Sequence, residues 1–405
     1  GEVVVEKDAL IELGTTDEEG KLVFQADLPH GKYYIQEVEH KPGYLPNDEV
    51  YSFDASYTDQ TLELLAFSEE ISNQPTITEF TKVDLTGGQE IEGAKMQILD
   101  QDGKVVEEWV SKKEPHVVYA LEPGEYVLHE EQAPTEQGYV RAEDVKFVVE
   151  ETGDVQKVKM EDDHTKVSIS KTDITDGKEI EGAKLQILDQ DGEVVESWTT
   201  GEEHLIEYLP VGTYTLHEEA AVDGYIVAND VEFTVEETGE IQKVKMEDER
   251  AMGQLVIVKT DTDSKAALEG VEFVLMEKET GKEVERLKTG KDGKAVSSLL
   301  PIGTYENGVF KEPITYVLKE TAALEGYEKT EEEWEIVFSY QNDKTPVIEV
   351  VKEIQNKKIP ETPGTVKPGP KTGDDTNWFL PLLALGVSAG MVAGLLYYRK
   401  KQKKA

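Results

Sequence analysis

Apolar residues recur at every second position along most of this chain, in short runs. In "TYTLHEE" (213–219) Tyr214 and Leu216 alternate with Thr213, Thr215 and His217, and in "KVKMED" (243–248) Val244 alternates with Met246. A period of two describes strands with one apolar face. Asp-Gly, Pro-Gly and lone Gly separate the runs, as they do in hairpins. No segment before residue 378 sustains a helical period. The pattern predicts an all-β chain of short antiparallel strands and hairpins, folded as Ig-like or prealbumin-like sandwiches of two sheets.

The same pattern repeats. "EIEGAKMQILDQDGKVVEEW" (90–109) recurs as "EIEGAKLQILDQDGEVVESW" (179–198), and "LEGVEFVLMEKETGKEVERL" (268–287) is a diverged third copy. A Leu-Pro-Gly-Tyr element follows each copy, at "LEPGEY" (121–126), "LPVGTY" (209–214) and "LPIGTY" (300–305), with a further instance at "LPHGKY" (28–33). Four repeats are expected over 1–77, 78–163, 164–250 and 251–359, the first without its opening strand. A Pro/Gly-rich spacer at 360–373 and a C-terminal segment at 374–405 complete the chain. "LDQDGK" (99–104) lacks the later ligands of a calcium loop and predicts a hairpin turn.

Polar residues break the alternation at fixed places. In the third repeat Val167, Ile169 and Lys171 share a face, as do Tyr214, Leu216 and Glu218, and Val244, Met246 and Asp248. Glu219 alternates outward. The second repeat offers Lys82, Glu130 and Asp162 in the same register, with Asp163 out of it. The fourth offers Lys259, Glu320 and Asn356, and the first retains Glu37 and Asn73.

Three separate charges in one core are expensive. Burial lowers a lysine pKa and raises those of carboxyls, so a neutral amine can face a protonated acid. The expected chemistry is attack of the amine on the Asp or Asn side-chain carbonyl, with Glu relaying the proton. The expected bonds are Lys82–Asp162, Lys171–Asp248 and Lys259–Asn356, while Asn73 has its lysine upstream. The alternative is a buried ion pair, or lysines that extend their heads to solvent.

Composition narrows the functional class. The formal charge of −43 excludes a nucleic-acid partner, because phosphate contacts need Lys and Arg. There is no cysteine, hence no disulfide and no thiol nucleophile. The seven histidines form no metal-ligand spacing, and His129 and His217 alternate outward. No metal, no cofactor and no enzymatic activity beyond the internal crosslinking are expected.

The C-terminus predicts the compartment. "WFLPLLALGVSAGMVAGLLYY" (378–398) is 21 uncharged residues, enough for one membrane-spanning helix, and "RKKQKKA" (399–405) places its end in the cytoplasm. The chain opens without an initiator Met and is expected to be the C-terminal part of a longer protein.

Two resemblances follow. "GPKTG" (369–373), ahead of the apolar segment and basic tail, resembles the cell-wall sorting signal of Gram-positive surface proteins, with Gly369 where that family usually has Leu. The resemblance implies a sortase that reads Pro370, Lys371, Thr372 and Gly373, cuts after Thr372 and links it to peptidoglycan. A plain single-span membrane protein is the other reading. "YTLHEEAAVDGY" (214–225) and "YVLKETAALEGY" (316–327), with "TKVD" (81–84), "SKTD" (170–173) and "VKTD" (258–261), resemble Cna-B, or SpaA-type, domains of Gram-positive pilins and adhesin stalks. That resemblance implies autocatalytic isopeptide bonds and a wall-anchored stalk, with a host matrix or cell-surface ligand bound by an N-terminal head. Basal or accessory pilin, or anchor of an upstream surface enzyme, are the alternatives. The shaft-pilin "YPKN" motif is absent.

Overall fold

A computed structural model of the chain describes residues 5–56 and 65–360. The chain divides into two units, Gly1–Lys358 and Ile359–Ala405, and every strand described lies in the first. Within it the architecture is all-β, and the 3-10 turn Thr135–Gln137 is the sole helical element among the described residues.

In the second repeat one sheet orders the strands His116–Tyr119, Ile77–Asp84, Val155–His164 and Tyr139–Val140. The facing sheet orders Val105–Val110, Lys95–Leu99, Gly124–Gln132 and Val145–Val149. Phe80 and Met160 from the first sheet and Met96, Ile98 and Leu128 from the second close one core between them. The third repeat copies this plan, with Lys166–Asp173 beside Ile241–Arg250 in one sheet and Lys184–Leu188 beside Gly212–Ala220 in the other. In the fourth, Met252–Asp261 lies beside Val347–Asn356, facing Glu272–Glu277 and Thr315–Ala322. Among the described residues an added hairpin, Gly303–Glu306 with Val309–Pro313, occurs in the fourth repeat alone. The first repeat shows the antiparallel pair Lys32–Gln36 and Val50–Asp54.

One expectation needs correction. The first and last strands of the second, third and fourth repeats pair in parallel, where the hairpin-like punctuation predicts antiparallel strands throughout. A period of two fixes which side chains share a face and is blind to strand direction. Parallel neighbours need a long crossover, and the intervening strands of the other sheet supply it.

The turn at Asp100–Gly103 is a hairpin turn. Asp100 Oδ1 accepts the Asp102 and Lys104 N–H groups at 3.0 and 2.9 Å, and Gly103 takes φ +77°. No helix among the described residues is long and apolar enough to cross a membrane. The span expected at 378–398 and the motif Pro370–Gly373 lie outside the described residues.

Candidate functional site

Three buried clusters repeat one geometry. The ladder sets Lys82 opposite Met160, Lys171 opposite Met246 and Lys259 opposite Ile354. The residue two further along the partner strand, on the same face, is then Asp162, Asp248 or Asn356. A lysine side chain is long enough to lean that far. Nζ of Lys82 donates to Asp162 Oδ1, that of Lys171 to Asp248 Oδ1, and that of Lys259 to Asn356 Oδ1.

The facing sheet supplies the third member. Glu130 Oε2 and Glu218 Oε2 each lie 2.9 Å from their lysine Nζ, and Glu320 Oε2 lies 3.0 Å from Lys259 Nζ. Backbone N–H groups orient two of these carboxylates, Ala142 onto Glu130 at 2.8 Å and Ala228 onto Glu218 at 2.7 Å. All nine side chains are at most 4 % exposed, so water does not screen them. In the first repeat Asn73 Nδ2 donates to both Glu37 oxygens, at 2.9 and 2.8 Å, and the Asn47 N–H donates to Glu37 Oε2 at 2.9 Å. Asp163 is elsewhere, receiving Lys166 Nζ at 2.6 Å, and Glu219 is exposed. His129 and His217 lie on the outer face, each 2.7 Å from a carboxylate, Asp144 or Asp230.

Electrostatics distinguish the Asp clusters from the Asn cluster. Burial pushes Asp162 up to about 7; Lys82 pulls it down and Glu130 pushes it further up. Asp248 is likewise raised to about 7, with Lys171 and Glu218 in the same opposing roles. Burial pulls Lys259 below the usual lysine range, against the opposing pull of the hydrogen bond it donates to Glu320. In the fourth repeat Asn356 Nδ2 donates to Glu320 Oε1 at 2.7 Å. Among the described residues Glu130 Oε1, Asp162 Oδ2, Glu218 Oε1 and Asp248 Oδ2 are buried without a hydrogen-bond partner. Ionised, such a cluster leaves costly unpaired acceptors. Proton exchange between Nζ and a carboxyl gives an amine beside an acid, which can remain a hydrogen-bonded cluster or condense to an amide.

Sequence reasoning missed a second buried carboxylate, two residues beyond each lysine. Asp84 and Asp173 are fully buried and Asp261 nearly so. Asp173 Oδ2 accepts the Tyr225 hydroxyl at 2.8 Å and Arg250 Nε at 2.6 Å, and Asp84 Oδ2 accepts the Tyr208 hydroxyl at 2.8 Å. Burial raises the Asp173 pKa, yet hydrogen bonds from Thr175 N–H, Tyr225 and Arg250 outweigh it and hold the carboxyl below its usual range. The available signal was the recurrence of Lys-x-Asp. Also missed were Glu90 and Glu179, which accept the N–H of Lys82 and Lys171 at 3.1 Å.

A family model for SpaA, a prealbumin-like fold domain, matches residues 3–67, 76–164, 165–250 and 253–313. Among solved structures the chain is similar to the Bacillus anthracis TIE protein, with 27% identity, a TM-score of 0.49 and coverage of 70% of this chain and 51% of that one. The chain thus spans about half the length of that relative. It also resembles BcpA, the major pilin subunit of Bacillus cereus, at 16% identity, TM-score 0.40 and coverage of 70% and 99%. A streptococcal ancillary pilin matches at 16% identity, TM-score 0.29 and the same coverages. No curated protein sequence matches significantly.

Proposed function

The chain belongs to the SpaA prealbumin-like fold family, and on that premise we propose that it is a load-bearing stalk of a Gram-positive surface protein, internally crosslinked and anchored to the wall. The observation that carries the reading is the threefold recurrence of a buried Lys–Glu–Asp/Asn cluster joining the entry strand of a repeat to its exit strand.

Each crosslink forms in one balanced condensation. The neutral Nζ attacks Cγ of Asp162, a C–N bond forms, and Glu130 takes a proton from nitrogen. Glu130 returns that proton to the departing oxygen, the C–O bond breaks and water leaves. Lys171 and Asp248 react in the same way through Glu218. At Asn356 the leaving group is ammonia, with Glu320 as relay. The amide is neutral, so the cost of burying a lysine and an aspartate as separate charges disappears.

The topology makes such a bond useful. Tension enters a repeat along its lysine strand and leaves along the parallel partner. A bond between positions 80, 77 or 97 residues apart in sequence carries that tension directly and shields the chain between. The order of Pro/Gly spacer, Pro370–Gly373, apolar segment and basic tail supports sortase attachment at Thr372. Sortase and peptidoglycan are the partners this reading names, and the wall-exposed cell surface is the location. A stalk needs no substrate pocket.

The intact mass of the full chain tests the crosslinks. Loss of two waters and one ammonia relative to the sequence mass is expected. A mass equal to the sequence mass rejects them.

A further inference from the structure

Consecutive repeats meet at a glycine. Gly43, Gly138 and Gly224 precede the tyrosine of a Gly-Tyr pair and adopt φ of +86°, +78° and +89°. A methyl on Gly43 would overlap the backbone of Ala120 in the second repeat, and one on Gly138 the backbone of Tyr208 in the third. On Gly224 a methyl would come within 2.7 Å of Phe310 Cδ2 and 2.9 Å of Tyr305 Oη in the fourth. Each close neighbour belongs to the repeat that follows.

Hydrogen bonds complete each contact. The Gly43, Gly138 and Gly224 carbonyls accept N–H groups from Thr76, Thr165 and Ala251, at 2.9, 2.8 and 2.8 Å. These three residues immediately precede the next lysine strand. Thr76 and Thr165 then bind the incoming loop, accepting from Ala120 N–H and Tyr208 N–H through their carbonyls. Their hydroxyls donate to Leu121 and Leu209 carbonyls at 2.6 Å. Ala120 and Tyr208 hold φ of +60° and +61°, a conformation that costs a non-glycine residue free energy and persists where its surroundings impose it.

The third junction uses different material for the same purpose. The hairpin insertion of the fourth repeat sends the Tyr305 hydroxyl to the Gly224 carbonyl at 2.8 Å. The Arg250 guanidinium, held by Asp173, lies 4.1 Å from the Tyr305 ring centroid. Tyr340 donates to the Tyr225 carbonyl at 2.9 Å. The segment that breaks the repeat pattern is therefore a clasp on the preceding repeat.

Gly326 supplies the internal comparison. It precedes Tyr327, adopts φ +84°, and has nothing within 4 Å of where a methyl would sit. The turn conformation is thus common to all four positions, while close approach by a following repeat occurs at three.

We propose that Gly43, Gly138 and Gly224 are sockets of a stiff inter-repeat joint, so that the four repeats move as one body. The proposal concerns the joints between repeats and stands or falls independently of the crosslinks within them.

The absence of native cysteine allows site-directed spin labelling of the full chain at chosen pairs. Val106→Cys with Val195→Cys reports on the joint between the second and third repeats, and Val195→Cys with Val284→Cys on the next. Pulsed dipolar spectroscopy is expected to give one narrow distance distribution for each pair. Gly138→Ala is expected to roughly double the width for the first pair alone, because overpacking opens the socket. Gly224→Ala is expected to act on the second pair alone. Gly326→Ala carries the same left-handed backbone penalty and is expected to leave both distributions narrow. Broad distributions in the parent chain overturn the proposal whatever the variants do, and so do distributions that stay narrow in Gly138→Ala and Gly224→Ala. Intact mass, read on the same samples, reports separately on the crosslinks.

Discussion

Lys171 lies opposite Met246 across the parallel ladder, and its amine is bound by Asp248, two residues beyond that partner. The offset matches the side chain to the strand. Two residues of strand span about 6.5 Å, close to the reach of a fully extended lysine. A carboxylate at position 246 would face the middle of the lysine stem.

The offset gives a positional prediction. On the proposed chemistry Asp248→Ala is expected to abolish the third-repeat crosslink, and adding Met246→Asp is expected not to restore it. The intact mass of both variants should retain one water more than the parent. A restored mass loss in the double variant would show that the offset is immaterial.

Glu218→Ala is expected to leave Lys171 and Asp248 adjacent and unlinked, again with one water retained. Opening the 77-residue closure removes roughly 4–5 kcal/mol of stability by analogy with disulfides. Calorimetry should show the third repeat melting earlier while the second and fourth keep their transitions.

Stretching single molecules reads the same variant mechanically. The parent should show no extension step from the second, third or fourth repeat beyond the few residues outside each crosslink. Glu218→Ala should add one step of roughly 270 Å, the extended length of about 77 residues.

The sign of the pH dependence follows from Asp248. Its folded pKa of about 7 exceeds the unfolded value near 3.8. A raised carboxyl pKa contributes stability that is fully present below the unfolded value and is lost as pH rises through the folded one. The unlinked Glu218→Ala chain retains burial, the main cause of that shift, so its third repeat should lose stability as pH rises above about 4. Chemical denaturation from about pH 4 upward, against the parent chain as baseline, measures it.

Asp173 should behave in the opposite sense. Its pKa is held low, so its contribution is present above the unfolded pKa and lost as pH falls through the folded one. Tyr225→Phe removes one buried hydrogen bond to it, at an expected cost of about 1–2 kcal/mol. The crosslinking should proceed as in the parent, with the same losses of water and ammonia, because the Tyr225 hydroxyl binds Asp173, which is not one of the reacting residues.

Much of the fold was legible because strand alternation is local. The parity of "SISK", "TLHEE" and "KMED" places Lys171, Glu218 and Asp248 on the apolar side with no knowledge of their neighbours. The same parity separates Glu218 from Glu219 and Asp162 from Asp163. Repetition of the pattern in three copies raised it above chance. What alternation cannot carry is direction, and the parallel pairing of entry and exit strands escaped it. Asp84 and Asp173 escaped for a related reason. What distinguishes them is contact with Tyr208, Tyr225 and Arg250, which arrive from distant segments.

The sequence by itself determined the all-β class, the fourfold repeat and the polar residues that share the apolar faces, because each rests on periodicity along the chain. Tertiary structure alone decided that the ladder offset brings each lysine onto its Asp or Asn, and that Gly138 and Gly224 are occupied where Gly326 is open. Those facts depend on the approach of segments far apart in sequence, and a glycine's lack of a side chain leaves no local sign of what fills its place.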